Sequence, residues 1–254
     1  MSKNKPQKPF KTGKNELIYG VHAVKAALLN NKRQHYELLI SENYKKFANN
    51  YSSKIKKITF LDQKEFKKLF GNEKSTQGIV LKTNNFERPT LEEFVKSENS
   101  QDKSVLLALD QITDPQNIGS IMRSCALFNC KGILVAKDNS PDLTPSLYKA
   151  ASGAGEIVNY FRVTNLKRSI SNLKKNGYWV YGFDSSSSQK TSNINYSKKS
   201  ILVFGSEGKG IRDLVKKECD EITKLKILPN TQFQIDSLNV SNAASIALYE
   251  FFKS

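Results

Sequence analysis

Three stretches of this 254-residue chain bring amide, carboxylate, hydroxyl and guanidinium groups together with glycine at spacings that could build a ligand site. The first is Asp110-Gln-Ile-Thr-Asp-Pro-Gln-Asn117-Ile-Gly119-Ser-Ile-Met-Arg123. Pro115 suits a helix start, where its missing N–H costs nothing. On that helix Gly119 and Arg123 are four residues apart, so they lie about 40° apart around the axis. An absent side chain at 119 would leave room beside the guanidinium for a substrate or cofactor. A glycine merely tolerated near a helix start, with a surface arginine, fits the spacing equally well.

The second stretch, Ile201-Leu-Val-Phe-Gly205-Ser206-Glu207-Gly208-Lys209-Gly210-Ile211, reads as a strand running into a glycine-rich turn. A phosphate loop of the form G-x-x-x-x-G-K-[ST] would need glycine at 203 and Ser or Thr at 210. The chain has Val203 and Gly210 there, and Glu207 would repel phosphate. The turn instead suits close backbone approach to an uncharged or cationic ligand. In the third stretch, Ile235-Asp236-Ser237-Leu238-Asn239-Val240-Ser241-Asn242-Ala243-Ala244-Ser245, Asp236 or Ser237 can cap a helix. Ser241, Ala244, Ser245 and Leu248 then form a small-residue stripe, which implies close approach to another backbone, whether the chain's own fold or a special contact.

Other chemistries are poorly supplied. The histidines are His22 and His35, far from all three stretches, which disfavours Ser-His-Asp hydrolysis and zinc catalysis in the second half. Cys125, Cys130 and Cys219 are odd in number and form no C-x-x-C pair, so they read as small buried residues in a reducing compartment.

The elements that must position these stretches follow from periodicity. Strands are expected at 104–109, 132–136, 178–183, 200–204 and 222–227, mostly as continuous apolar runs of the kind found in buried parallel strands. Helices are expected between them at 116–129, 144–152, 166–176 and 210–218, with a last one at 238–252. This alternation predicts an α/β domain with a parallel sheet covered on both faces, whose ligand loops lie at the strands' carboxyl ends. All three stretches fall at such ends. Residues 15–85 read as a smaller α/β domain. It has a helix after Gly20, strands near 36–40, 58–61 and 78–82, and a helix over 62–70 capped by Asp62. Residues 86–103 read as a polar linker, with one short helix at Leu91 to Lys96.

The charge is distributed unevenly. The chain carries 40 Lys+Arg against 24 Asp+Glu, a net +16. Residues 1–85 hold 18 basic and 6 acidic groups, residues 86–103 hold 3 and 5, and residues 104–254 hold 19 and 13. Such an excess points to a polyanionic partner, nucleic acid before membrane, gripped by the N-terminal half. No apolar run approaches the roughly 20 residues of a membrane span. Residues 1–14, with five lysines, read as a basic flexible tail rather than a signal peptide, so a cytoplasmic location is expected.

As an ordered set, N-x-G-x-x-x-R (Asn117 to Arg123), G-S-E-G-x-G (Gly205 to Gly210) and S-L-N-V-S (Ser237 to Ser241) resemble the SpoU/TrmH branch of the SPOUT RNA methyltransferases, over residues 104–254. Tyr19-Gly-Val-His-Ala-Val-Lys-Ala-Ala-Leu in the first domain resembles the L30e-like substrate domain of RlmB-type 23S rRNA (guanosine-2′-O)-methyltransferases, which act on the peptidyl-transferase P-loop. The resemblance implies a C-terminal α/β knot (a deep trefoil), S-adenosylmethionine as cofactor, no metal, a homodimer, and 2′-O-methylation of a guanosine in 23S rRNA. It implies that Arg123 activates the ribose hydroxyl, in some members as a general base; because a free arginine is essentially always protonated, the role expected here is to hold the neighbouring phosphate and stabilise the developing alkoxide, with base action as the alternative. Asn117 and Asn239 would orient Arg123 and ribose, Glu207 would fix Arg123 or the cofactor, and Ser237 would support the loop. Cofactor contacts would come from Gly205, Ile227, Leu228 and Leu238. Family members often read Ile-Pro-Met where this chain reads Ile227-Leu228-Pro229-Asn230, which shifts the register of that contact by one or two residues. Methylation at another rRNA site, or a non-catalytic ribosome-assembly factor on the same fold, are the competing readings.

Overall fold

The computed structural model of the chain describes residues 15–70, 76–98, 103–185, 187, 194–227 and 237–253. It divides into two compact units, Met1–Glu87 and Arg88–Ser254.

The first unit runs β1 (Asn15–Tyr19), α1 (Val21–Leu29), β2 (His35–Ile40), α2 (Lys45–Tyr51), β3 (Ile55–Phe60), α3 (Gln63–Phe70) and β4 (Ile79–Asn84). Its four-stranded sheet has the order β1-β4-β2-β3, with β4 antiparallel to both neighbours and β3 parallel to β2. The Asp62 carboxylate accepts the Glu65 N–H at 2.8 Å while the Glu65 carboxylate accepts the Asp62 N–H, a capping box that starts α3. That helix buries Phe66 against Leu61 and Val80. Two elements escaped the periodicity for a physical reason. Strand β1 fully buries Ile18 alone, and α2 buries Ala48 alone, so neither carries an apolar rhythm.

The second unit runs α4 (Leu91–Ser97), β5 (Ser104–Asp110), α5 (Pro115–Leu127), β6 (Gly132–Ala136), α6 (Pro145–Ala150), β7 (Asn159–Val163), α7 (Leu166–Lys175), β8 (Trp179–Phe183), β9 (Lys199–Gly205), α8 (Asp213–Lys216), β10 (Glu221–Thr223) and α9 (Val240–Lys253). Its six strands are all parallel, in the order β10-β8-β9-β5-β6-β7. The expected linker is not a free connector throughout. Thr90 and Glu93 form a capping box for α4, and its Leu91 and Phe94 are buried in the core with Ile170 and Leu173 of α7. Strand β7 was not anticipated, because Asn159 and Arg162 interrupt its apolar run. The β10 strand ends at Thr223, short of the expected 227. The helix expected at 210–218 is one turn, Asp213–Lys216, since residues 206–210 fold back on themselves.

Alternation along β5 decides which helices lie together. Val105, Leu107 and Leu109 face Ile118, Ile121 and Met122 of α5 and Ala244, Leu248 and Phe251 of α9. Leu106 and Ala108 face α4, α7 and Val215 of α8 on the other side. Helices α5 and α9 therefore share one face of the sheet. Their small residues allow close approach: the Ser124 and Ser245 hydroxyls are 2.6 Å apart, and Ala244 is fully buried. The small-residue stripe of α9 is thus explained within the chain. The knot that the resemblance implies would involve the C-terminal segment, of which residues 228–236 lie outside the described residues.

Candidate active site

The strand order reverses between β5 and β9, the position where open parallel sheets form ligand crevices. Beside it a cleft of about 580 Å³ opens at the carboxyl ends of β8, β9 and β10. Gly205 to Gly210 form one wall, Phe183 at the end of β8 with Asp184 and Ser185 beyond it a second, Lys224 to Ile227 beyond β10 a third, and Ser237, Leu238, Val240 and Ala243 a fourth. The Phe183 and Phe204 rings stack with centroids 4.7 Å apart, giving the cleft an aromatic edge.

The glycine-rich turn has a steric cause. The Gly210 N–H donates to the Ser206 carbonyl at 2.8 Å, folding the loop over the end of β9. A Cβ on Gly205 would stand 1.9 Å from the Gly210 carbonyl carbon and 2.2 Å from the Ile211 nitrogen. Only glycine lets this turn close. Just beyond it the backbone N–H and Nε of Arg212 each donate at 2.9 Å to the carboxylate of Asp110, which is fully buried at the end of β5. This pair ties the β9 loop to the β5 loop. It holds the Arg212 guanidinium pKa above its ordinary value, chiefly through the hydrogen bond to Asp110.

Three of the five predicted catalytic residues meet. Asn239 Nδ2 donates to Asn117 Oδ1 at 3.0 Å and to Glu207 Oε1 at 2.8 Å. Its own Oδ1 accepts from the Ser241 N–H at 2.9 Å and from the Ser241 hydroxyl. Asn239 is therefore the residue that caps α9, in place of the predicted Asp236 or Ser237. Asp236 lies outside the described residues, and Ser237 instead lines the cleft. The cap also fixes the amide orientation, since the Ser241 N–H can only donate. With Asn239 fully committed, the network presents Asn117 Nδ2 as a donor and Glu207 Oε2 as an acceptor.

Arg123 does not join this cluster. It is exposed and makes no hydrogen bond or ion pair among the described residues, so Asn117, Asn239 and Glu207 do not orient it. Nor does Gly119 make room beside it, because a Cβ there would lie 2.4 Å from Ala150 Cβ and 2.7 Å from the Ala150 backbone. That glycine exists so that α6 can cross α5. Of the predicted cofactor contacts, Gly205, Ile227 and Leu238 line the cleft, while Leu228 lies outside the described residues. Sequence reasoning missed Phe183, Asp184, Lys224 and the Asp110–Arg212 tie. The rule that ligand loops follow strand ends pointed to the loop after β8 but could not pick its residues. Asp184 is held by Lys216 Nζ at 2.7 Å.

Comparison with known proteins places this geometry. The sequence model of the SpoU rRNA Methylase family matches residues 104–249. The model described as RNA 2′-O ribose methyltransferase substrate binding matches residues 17–89. YacO of Bacillus subtilis, assigned to the TrmH family of tRNA/rRNA methyltransferases, is 32% identical over 244 residues, spanning 94% of this chain and 95% of that protein. Two solved structures share the fold at 19% identity, each covering 94% of this chain. The SpoU methyltransferase AviRb of Streptomyces viridochromogenes, in complex with the cofactor AdoMet, superposes with a TM-score of 0.77 over 89% of its chain. An AdoMet-bound rRNA methyltransferase of Sinorhizobium meliloti does so with 0.74 over 87%. The chain belongs to the SpoU family of RNA methyltransferases, with its catalytic domain following a substrate-binding domain of the RNA 2′-O-ribose methyltransferase type.

Proposed function

We propose that this protein transfers a methyl group from S-adenosylmethionine to the ribose 2′-oxygen of a guanosine in 23S rRNA, in the peptidyl-transferase P-loop, in the cytoplasm. The observation that carries the reading is the Asn117–Asn239–Glu207 network, which joins the first turn of α5, the cap of α9 and the loop after β9 beside the cleft. The cleft suits the cofactor. Its volume is within the roughly 300–1,000 Å³ usual for small-molecule sites. The aromatic and aliphatic walls at Phe183, Phe204, Leu225 and Ile227 suit a flat heterocycle, while Glu207 on one side and Lys224 and Lys226 on another suit the ammonium and carboxylate of a zwitterionic ligand. The glycine floor at 205 brings backbone amides against whatever lies there.

When bound, S-adenosylmethionine supplies an activated methyl group. The chain's own residues must then hold the ribose hydroxyl in line and offset the charge that develops on its oxygen. Glu207 Oε2 is an acceptor for a hydroxyl or ammonium proton, and Asn117 Nδ2 a donor for an oxygen. Both are stiffened by Asn239, whose position is set by the cap it makes on α9. Arg123, always protonated, holds the neighbouring phosphate and stabilises the alkoxide. It sits four residues before Leu127, which is 84% exposed, on the side of the α5–α9 pair where Ile246 and Tyr249 are also exposed. This face supports a homodimer that brings Arg123 to the interface. The basic N-terminal unit grips RNA through phosphate contacts, which give affinity without sequence choice.

The test is to map ribose methylation on 23S rRNA from cells with and without the gene. Loss of one guanosine mark in the P-loop is expected. Loss at another nucleotide would move the site, and an unchanged map would favour the assembly-factor reading.

A further inference from the structure

Strand β5 is buried along its whole length, and its last residue, Asp110, is the one charged side chain on it. Both carboxylate oxygens are engaged by Arg212, the residue that precedes α8. Oδ2 accepts the Arg212 backbone N–H at 2.9 Å, while Oδ1 accepts Nε at 2.9 Å and pairs with Nη2 at 2.6 Å. A guanidinium carries five N–H donors in a planar fork. Asp110 takes the edge formed by Nε and Nη2. The opposite edge, formed by Nη1 and the outer proton of Nη2, has no partner among the described residues. The carboxylate is fully buried, whereas the arginine side chain keeps 41% of its exposure. The pair is therefore a dipole whose positive end is turned to solvent.

Charge neutralisation alone gives little reason for this pair. A buried ion pair seldom gains over apolar residues of similar volume, and Val105 to Leu109 show how readily β5 takes them. What an apolar residue could not do is aim a guanidinium. The edge that Asp110 leaves open has two parallel N–H bonds, which match two oxygens of a phosphate. Arg123, by contrast, is held by nothing among the described residues. The neighbourhood also suits a polyanion. Gln111, next to Asp110, and Lys209, on the loop before Arg212, line a second cleft of about 400 Å³ with Thr113, Asn139, Ser206 and Gly208, a lining without a carboxylate. Of the acidic residues nearest in sequence, Glu207 accepts from Asn239 and Asp213 lies in the first turn of α8.

We propose that Arg212 is a phosphate-binding residue of the catalytic unit, holding a phosphodiester of the RNA strand on its open edge, with Asp110 as its positioning residue. The proposal rests on the methyltransferase reading above. Such a contact fixes the register of the strand and reads no base. Residues 205–212 form one loop, anchored where Gly205 pairs with Asp110 in the sheet and again where Arg212 meets the Asp110 carboxylate. A strand held at Arg212 is thus held by the same loop that presents Glu207 to Asn239. Arg212 is oriented before RNA arrives, whereas Arg123 takes up its position only with RNA.

The test is a paired exchange in the full chain, Asp110→Asn together with Arg212→Gln. It removes both charges at once, so the net charge is unchanged and no buried carboxylate is stranded. Binding of unmodified 23S rRNA is measured between about 50 and 300 mM KCl, and S-adenosylmethionine binding by calorimetry. We expect RNA binding about tenfold weaker at low salt, a slope of log affinity against log salt reduced by up to about one, and an unchanged Kd for S-adenosylmethionine. Unchanged RNA affinity and slope overturn the proposal. Weaker S-adenosylmethionine binding with RNA binding intact assigns the open edge to the cofactor's carboxylate and overturns it too. Because the exchange could also shift the loop, the unsubstituted chain is probed directly by NMR of isotope-labelled arginine side chains, with Arg212 identified by its absence from the Arg212→Lys spectrum. Saturating oligouridylate should slow proton exchange at its Nη groups; exchange unaffected by oligouridylate overturns the proposal whatever the variants do. Methylation of the same rRNA by the unsubstituted chain is read in parallel. Slowed exchange and Arg212-dependent binding without methyl transfer support the phosphate contact and count against the transferase reading, whereas methyl transfer with neither effect counts against the contact alone.

Discussion

The glycine-rich turn offers a test in which one substitution, made at three neighbouring positions, should have three different outcomes. Alanine at 205 places a Cβ 1.9 Å from the Gly210 carbonyl carbon and 2.1 Å from its oxygen. Both neighbours are backbone, so no rotamer change relieves the clash. The loop must retreat by about 1.5 Å to reach ordinary contact, and overpacking of that kind costs about 1–3 kcal/mol. For a unit of this size the loss corresponds to a fall of about 3–10 °C in melting temperature. Because Gly205 also lines the larger cleft, where we propose that S-adenosylmethionine binds, the displaced loop should weaken S-adenosylmethionine binding by about tenfold or more, each factor of ten being about 1.4 kcal/mol. At 210 the obstacle is conformational: the residue has φ 64° and only one atom within 4 Å of a built Cβ. The expected cost there is about 1 kcal/mol. At 208 nothing lies within 4 Å and no left-handed φ is required, so the melting temperature should stay within the scatter of about 0.5 kcal/mol typical of open sites. The chain's single tryptophan, Trp179 on β8, reports the unfolding of this unit by fluorescence. Calorimetric titration measures cofactor affinity. Equal destabilisation at 205 and 208, or an unperturbed Gly205→Ala protein, would refute the claim that the turn closes because position 205 has no side chain.

Three further outcomes are expected. Asn239→Asp keeps an acceptor for the Ser241 N–H but sets a carboxylate against Glu207, where the amide donated at 2.8 Å; methyl transfer should fall at least about a hundredfold while the far-UV helical signal is retained, and transfer at wild-type rates would remove Asn239 from the site. Arg123→Ala should abolish methyl transfer with an unchanged Kd for S-adenosylmethionine, because Arg123 does not line the larger cleft proposed to hold the cofactor; unchanged turnover would refute its role. Burial, reinforced by the nearby Asp220 carboxylate, pushes the Cys219 thiol up to about 12. Its folded pKa exceeds the unfolded value near 8.5, so the stability it contributes is complete below that pH and is lost as the pH rises toward 12, at a slope approaching about 1.4 kcal/mol per pH unit. Urea unfolding between pH 8 and 10.5 should therefore show a shallower alkaline loss for Cys219→Ala than for the unsubstituted chain, and identical slopes would exclude the burial argument.

Much of the fold was legible because its signals are local. Continuous apolar runs marked β5, β6, β8 and β9, since strands buried on both faces have no polar side to show. Pro115 marked the start of α5, and Asp62 that of α3. Elements that bury a single residue, such as β1 and α2, carried no such signal and came only from pairing with neighbours. The cap of α9 was misplaced by two or three positions because Asp236, Ser237 and Asn239 are all competent caps. Only the packed helix determines which of them meets the Ser241 N–H.

By its own residue types and spacing, the sequence determined that three polar stretches, two of them with glycine, follow the strands of a parallel sheet, and that basic charge concentrates in the first unit. It could not determine that Asn117, Glu207 and Asn239 touch. Asn117 and Glu207 are 122 and 32 positions from Asn239 along the chain, and they meet it because β9 pairs with β5 and because α5 and α9 pack on the same face. Nor could it assign Gly119 to a helix crossing rather than to a ligand, or separate Arg123 from the network, or gather Gln111, Asn139 and Lys209 around one cleft. Local periodicity depends on the few residues within a turn or a pleat. Those contacts depend on strand order and helix packing, which only the tertiary structure decides.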